Sequence, residues 1–242
     1  MTTPKAARKS KKTSPRSAAR KRLRDLVKHR GHRIFNIWYV YSPKLGRDWV
    51  LDSDLAYDHF TSLEANLEVV FYDLDPPPVI VKVGDDDHKT TFDAKVVFKN
   101  GKTEYREVKY ADEVADATAV RTQHQLEAQA KWLESQNASY CVITEEVLLP
   151  ERQRIMNWRR IISAMARARY LNIDVIGSTV ATVMSSRLNS TISELLQSVP
   201  QPERPRWLAA IFRLIQQVVL TSDLDVRPLS GQTAIGFLGR SK

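Results

Sequence analysis

The chain has 242 residues, 43% of them hydrophobic and 27% charged, and a formal net charge of +9. That is material for one large or two small domains with a substantial core. No apolar run is long enough for a membrane span, the N-terminus lacks the apolar stretch of a signal peptide, and a single cysteine excludes an intrachain disulfide framework.

Charge is distributed unevenly. Residues 1–33 carry thirteen Lys and Arg against Asp25, residues 34–150 carry eleven basic and twenty-one acidic, and residues 151–242 carry thirteen basic and six acidic. An acidic centre between basic flanks suggests flanks that neutralise phosphates and a centre that gathers carboxylates for divalent cations. For residues 1–15 a solubilising tail fits as well. Cys141 sits in the apolar run SYCVIT, which suits a reduced, cytoplasmic compartment and a buried strand thiol better than a catalytic one.

In chain order, residues 1–17 are rich in Lys, Arg, Ser, Thr and Ala, a composition expected to be disordered in isolation. Residues 18–28 predict a short basic helix of the kind that lies along a DNA backbone without reading sequence. The aromatics Phe35, Trp38, Tyr39, Tyr41 and Trp49 around Ser42-Pro43 predict short extended pieces. Residues 52–67 predict a helix capped by Asp52 or Ser53, with Ala56, His59, Phe60, Leu63 and Leu67 on one face. On that face His59 reads as a core histidine rather than a ligand. Strands are expected over 69–72 and 79–83, the second ending in an acidic turn at Gly84-Asp85-Asp86-Asp87 whose spacing is not that of a Ca²⁺ loop.

Residues 91–109, TFDAKVVFKNGKTEYREVK, carry the clearest pattern. Phe92, Ala94, Val96 and Phe98 alternate with Asp93, Lys95, Val97 and Lys99, as in a half-buried strand. Asn100-Gly101 predicts a type I′ turn. The returning strand, 103–109, puts Glu107 and Lys109 on one face, because residues i and i+2 project the same way. An acid, a hairpin and Glu-x-Lys are the minimal equipment for metal-assisted phosphodiester hydrolysis: two carboxylates to hold Mg²⁺ and an ammonium to steady the phosphate charge or the attacking water. The same triplet also suits a solvated strand edge.

Beyond it, 118–136 predict a helix with Val120, Leu126, Ala130 and Leu133 inward, and 140–143 a fully buried strand. The centre therefore reads as an α/β core with a mixed sheet. Pro150 marks a boundary. Helices follow over 151–169, with Ile155, Trp158, Ile161, Ile162 and Met165 inward, over 179–188, and over 207–220 behind Pro205. Thr191 and Glu194 have the spacing of a capping box. A terminal hairpin of 225–229 and 233–238 gives this half the pattern of a winged-helix module.

With these pieces in order the chain resembles the TnsA family, the endonuclease subunits of heteromeric bacterial transposases, within the PD-(D/E)xK nucleases. The resemblance lies in SDLAYDHFTSLEANLEVVFYDLDPPP, in FDAKVVFKNGKTEYREVK and in the helical C-terminal half. It implies a restriction-endonuclease-like core over 34–149, a basic DNA-contacting arm over 1–33, and a winged-helix-like domain for DNA and partner binding over 150–242. It also implies that Asp93, Glu107 and the Val108 carbonyl ligate Mg²⁺, with Mn²⁺ as a substitute, and that Lys109 is the catalytic lysine. The implied partners are double-stranded transposon DNA, a second transposase subunit and an ATPase regulator, in a bacterial, nucleoid-associated setting and without a membrane. Two departures stand out. Phe92, not proline, precedes Asp93, and Ala56 occupies the position at which the family carries a glutamate. Either Glu64, two turns on, substitutes for it or the set of acids is incomplete. A stand-alone restriction or junction-resolving nuclease, and a non-catalytic DNA-binding subunit, are the alternative readings.

Deleting residues 1–33 is expected to weaken duplex binding alike for all sequences. The slope of log affinity against log salt should fall by roughly 0.9 for each phosphate that the arm had neutralised. A salt titration checks this, and an unchanged slope would mark the arm as a solubilising tail.

Overall fold

The computed structural model describes residues 15–29, 36–83, 86–115, 129, 132–133 and 138–239. The basic segment forms α1 (Pro15–His29). It opens on a proline, whose missing N–H costs nothing in a first turn. It therefore includes residues 15–17, placed by composition in the disordered stretch; the rest of residues 1–33 lie outside the described residues. Ala19 is buried where α1 lies against the next hairpin.

The aromatic lead-in is that hairpin, β1 (Trp38–Ser42) with β2 (Arg47–Leu51), turning at Gly46 with φ 65°. Then comes α2 (Asp54–Ala65), two residues shorter than expected at each end. Ser53 is its cap, its hydroxyl accepting from the Ala56 N–H at 3.0 Å. The helix stops at Asn66, whose backbone is extended.

β3 (Val69–Asp73) follows, then an antiparallel pair of β4 (Val79–Val83) and β5 (Asp86–Thr90). Asp86 and Asp87 thus begin a strand instead of ending in the expected turn; Gly84 and Asp85 lie outside the described residues. β6 (Ala94–Phe98) and β7 (Thr103–Val108) form the central hairpin, followed by the short helix α3 (Ala111–Ala115). β8 (Ser139–Ile143) completes a four-stranded mixed sheet in the order β3-β6-β7-β8, parallel between β7 and β8 and antiparallel elsewhere. β8 is not fully buried as expected: Ile143 is buried and its other four residues are half-buried. Of the helix expected over 118–136, only Gln129, Trp132 and Leu133 are described, all helical, with Gln129 and Leu133 buried. Val120, Leu126 and Ala130 lie outside the described residues.

The central turn differs from the expected type I′, which needs positive φ at both middle residues. Among the described non-glycine residues only Leu188 and Val218 have positive φ, so Asn100 does not; Gly101 does, at 80°. Gly101 N–H donates to the Phe98 carbonyl at 2.9 Å and Phe98 N–H to the Lys102 carbonyl at 3.0 Å. Lys99 and Asn100 make the bend, and glycine follows as a bulge. The extra residue leaves Val97 opposite Thr103 and Ala94 opposite Arg106.

The second half contains α4 (Glu145–Leu148), a 3₁₀ turn at Leu149–Glu151, α5 (Arg152–Ala168), α6 (Asp174–Arg187), β9 (Asn189–Thr191), α7 (Ile192–Leu195), a 3₁₀ turn at Gln201–Glu203, α8 (Arg204–Gln216), β10 (Leu220–Ser222) and β11 (Ala234–Phe237). All five residues expected to face inward on α5 are buried. The capping box of Thr191 and Glu194 is formed. The last helix ends four residues earlier than expected, because the chain turns at Val218 with φ 61° and enters β10 at Leu220.

The expected hairpin partner over 225–229 is not a strand. β11 pairs instead with β10 and β9. Residues 224–229 give their backbone groups to Asn157 of α5: its amide donates to the carbonyls of Leu224 and Arg227, and its oxygen accepts from Leu229 N–H at 2.8 Å. A strand cannot form where a side chain has taken those groups.

One continuous apolar core runs through both halves, including Phe60, Leu63, Tyr72, Val96, Trp158, Ile161, Met184, Ile211 and Ile235. At its centre α2 lies against α5. Glu64, at the C-terminal end of α2, is fully buried. It accepts from Ser42 Oγ at 2.5 Å, Lys44 N–H at 3.1 Å, Gln216 Nε2 at 2.9 Å and the Tyr72 hydroxyl. Lys44 ends the same helix, its ammonium donating at 2.7 Å to the Leu63 and Asn66 carbonyls. Burial pulls that ammonium down to about 8, against the charge of Glu64.

Substituting Glu64→Ala should strand the Ser42, Tyr72 and Gln216 donors in the interior, each costing about 1–3 kcal/mol. The expected loss is about 3 kcal/mol or more, read by urea unfolding, with Glu64→Gln losing less because its amide oxygen still accepts.

Candidate active site

β6 and β7 open toward a cleft of about 200 Å³ lined by Arg22, Val50, Leu51, Asp52, Ala56, His59, Leu74, Asp93, Val108 and Lys109. Five elements build it. α1 contributes Arg22, β2 contributes Val50 and Leu51 and leads into Asp52, α2 contributes Ala56 and His59, Leu74 follows β3, and the central hairpin supplies Asp93, Val108 and Lys109.

Asp93 immediately precedes β6. Its N–H donates to the Arg106 carbonyl at 3.0 Å, and its Oδ2 accepts from the Val108 N–H at 2.8 Å. Extending the register by one residue sets Asp93 opposite Glu107. Lys109 Nζ lies 3.3 Å from Glu107 Oε1. The i, i+2 reading of the second strand therefore describes the arrangement.

Glu107 is only 1% exposed and does not line the cleft; it stands behind the cleft wall. Gln129 Nε2 donates to Glu107 Oε2 at 2.9 Å and to the Thr91 carbonyl at 2.8 Å, while Tyr140 Oη donates to Gln129 Oε1 at 3.0 Å. Phe92, Tyr105, Trp132 and Tyr140 pack around this chain of bonds. Burial pushes Glu107 up to about 7, the Asp93 charge adding to the rise while Gln129 and Lys109 oppose it. Asp93 is exposed at the rim, yet protein atoms crowd its carboxyl and raise it. The Val108 N–H and Lys109 pull Asp93 back down, and Asp52 adds to the rise. Burial works against the Lys109 charge, but the two carboxylates outweigh it and hold that ammonium above its usual value.

Ala56 is half-buried at the cleft wall, where the helical face read from the sequence puts it. Glu64 does not substitute: its carboxylate is held by Ser42, Tyr72, Lys44 and Gln216, and it does not line the cleft. Among the described residues, no three His, Cys, Asp or Glu side chains gather as a metal-holding group. His59 behaves as the core reading expected. It is 2% exposed, with Nε2 at 3.3 Å from Arg106 Nη1, and burial together with the Arg106 charge pushes it down to about 3.

Three residues of the site were not singled out in the sequence. Asp52 was read only as a cap, and it faces the cleft because Ser53 takes the capping role. Gln129 carried a signal: with Leu126 and Leu133 it has i, i+3, i+7 spacing, but a polar residue was not counted on an inward face. Arg22 falls on the stripe of α1 that meets its neighbour, but its place in the cleft follows only from how α1 docks.

The architecture and this hairpin define a nuclease-like α/β fold, and the mixed four-stranded sheet fits a restriction-endonuclease-like core. Residues 71–145 match the family model described as TnsA-like endonuclease N terminal, a segment that contains Asp93, Glu107, Val108 and Lys109. The chain is similar to TnsA-like nucleases over that segment, in agreement with the resemblance read from the sequence. No curated protein matches the chain. No helix among the described residues is long and apolar enough to cross a membrane.

The raised Glu107 has a pH consequence. Its folded value, about 7, exceeds its ordinary value of 4.5. The unfolded chain thus releases this proton first as pH rises. The stability tied to the group is fully present below pH about 4.5 and is lost by about pH 7, on the order of 3 kcal/mol at most. In metal-free buffer, urea unfolding from pH 4.5 to 7.5 should show this fall, and Glu107→Gln should flatten it.

Proposed function

We propose that the chain is the DNA-cutting subunit of a transposition machine, acting at the 5′ ends of the element beside a partner transposase and under an ATPase regulator. The observation that carries this reading is the convergence of Asp93, Glu107 and Lys109 at the end of the central hairpin, in the segment that is TnsA-like. The C-terminal half, with its helices and three-stranded antiparallel sheet, is read as a winged-helix-like module for DNA and partner contacts.

The donor set is hard oxygen: the carboxylates of Asp93 and Glu107 and the carbonyl of Val108. That set fits one Mg²⁺ retaining several waters, with Mn²⁺ as a substitute. Bound there, the ion would offset the negative charge that builds on the oxygens around phosphorus during in-line attack. The chain's own residues do the rest. Val108 N–H fixes the Asp93 carboxylate, Gln129 fixes that of Glu107, and Lys109 holds a proton and a positive charge beside both.

Ala56 leaves the cleft one carboxylate short of the family pattern. This favours a second reading, a subunit that binds DNA and leaves cutting to others. On the first reading the chain binds DNA and nicks it slowly, since losing one transition-state-stabilising group costs on the order of 10²–10³ in rate.

Ala56→Glu should raise Mg²⁺-dependent nicking of supercoiled plasmid by about 10²-fold, and Lys109→Ala in that background should abolish the gain. If neither form nicks plasmid, with or without a partner transposase, the non-catalytic reading stands. Efficient cutting by the chain as written, without a partner, would favour a stand-alone nuclease.

A further inference from the structure

We propose that Arg22 is a phosphate-positioning residue: α1 is docked so that Arg22 and Lys109 grip one phosphate group of a nucleic acid between them, beside Asp93. The identity of that ligand rests on the nuclease reading above.

The face of α1 carries the argument. Ala19, Arg22, Leu23 and Leu26 have i, i+3, i+4, i+7 spacing, the stripe by which a helix meets its neighbour. Ala19 is buried and the other three are half-buried, whereas Lys21, Arg24 and Lys28 are exposed. An arginine thus occupies the docked stripe of a helix that has ample exposed positions for its other cations. A helix serving only solubility has no reason to bury part of an arginine there.

The docked arginine reaches the cleft that Asp93, Val108 and Lys109 line. Its charge acts on the Asp93 carboxyl. Arg22 Nη1 rests 2.9 Å from Asp75 Oδ1, whose side chain is 71% exposed. An ion pair that open to water is weak and readily exchanged. A phosphodiester offers two non-bridging oxygens that share one negative charge, and the guanidinium fork matches them in bidentate fashion. Lys109 approaches as a point charge, so the two cations bind one anion without competing for the same oxygens.

The test uses thymidine 3′,5′-bisphosphate, too small to span the basic flanks, titrated into the full chain with Ca²⁺ present and followed by calorimetry. Arg22→Ala and Lys109→Ala should each weaken binding at least tenfold, and the double variant should lose less than the product of the two. Arg22→Lys should recover part of the loss. Asp75→Asn, which removes the rival anion, should tighten binding about two- to threefold, a readout that survives if Arg22→Ala fails to fold. Arg24→Ala, on the exposed face of the same helix, should leave affinity unchanged. The proposal is overturned if the unaltered chain takes up no bisphosphate, if Arg22→Ala binds as well as it does, or if Arg24→Ala weakens binding equally. Intact bisphosphate binding with no nicking by Ala56→Glu, with or without a partner transposase, would defeat the nuclease reading and leave the phosphate grip standing.

Discussion

Everything at the cleft depends on the pairing of β6 with β7. With Ala94 opposite Arg106, Asp93 falls opposite Glu107, and its carboxylate meets the N–H of Val108. Strand side chains alternate, so a slip of one residue would send Glu107 and Lys109 to the other face of the sheet. The bulged turn at Gly101 sets this register, and the buried side chains of Ala94 and Val96 hold it, because a slip would also expose them. Parallel pairing of β7 with β8 then encloses Glu107, which faces Val142 in that ladder.

The second constraint is the fixed position of α2. It is wedged between the sheet and α5, pinned by the ion pair of Asp58 with Arg159 and by Ser62 Oγ donating to Glu151 Oε2 at 2.7 Å. At its far end the fully satisfied Glu64 joins residues from both halves of the chain. A buried carboxylate with four donors is costly to disturb, so the helix does not slide or rotate to bring another acid to the cleft. Whatever stands at position 56 is therefore what the cleft has there. The absence of a carboxylate at that point follows from one side chain in a rigid frame.

Electrostatically the cleft holds opposing charges under partial burial. Burial and the Asp93 charge raise Glu107, burial and Asp52 raise Asp93, and Lys109 is held protonated beside both. Arg22 adds a second cation from a segment distant in sequence. On the proposed reading, a divalent cation would return to the carboxylates what they lose in desolvation. The neutral His59 beneath them adds no charge of its own.

The local elements were legible in the sequence because each rests on short-range physics. Period-2 alternation marked β6 and β7, the i and i+2 rule joined Glu107 to Lys109, helical spacing set Ala56 toward the cleft, and Thr191 with Glu194 made its capping box. The tertiary structure decided what depends on distant groups. Asn157 took the backbone bonds of residues 224–229 and cancelled the expected strand. Glu64, read as a spare acid, was claimed by Ser42, Tyr72 and Gln216. Gln129 became the orienting partner of Glu107, and α1 brought Arg22 to the cleft by docking on β2. Most of these contacts join residues far apart in the chain, whose energy arises only after the intervening chain has folded. A local pattern can mark a residue as inward-facing, as at Gln129, but does not name its partner.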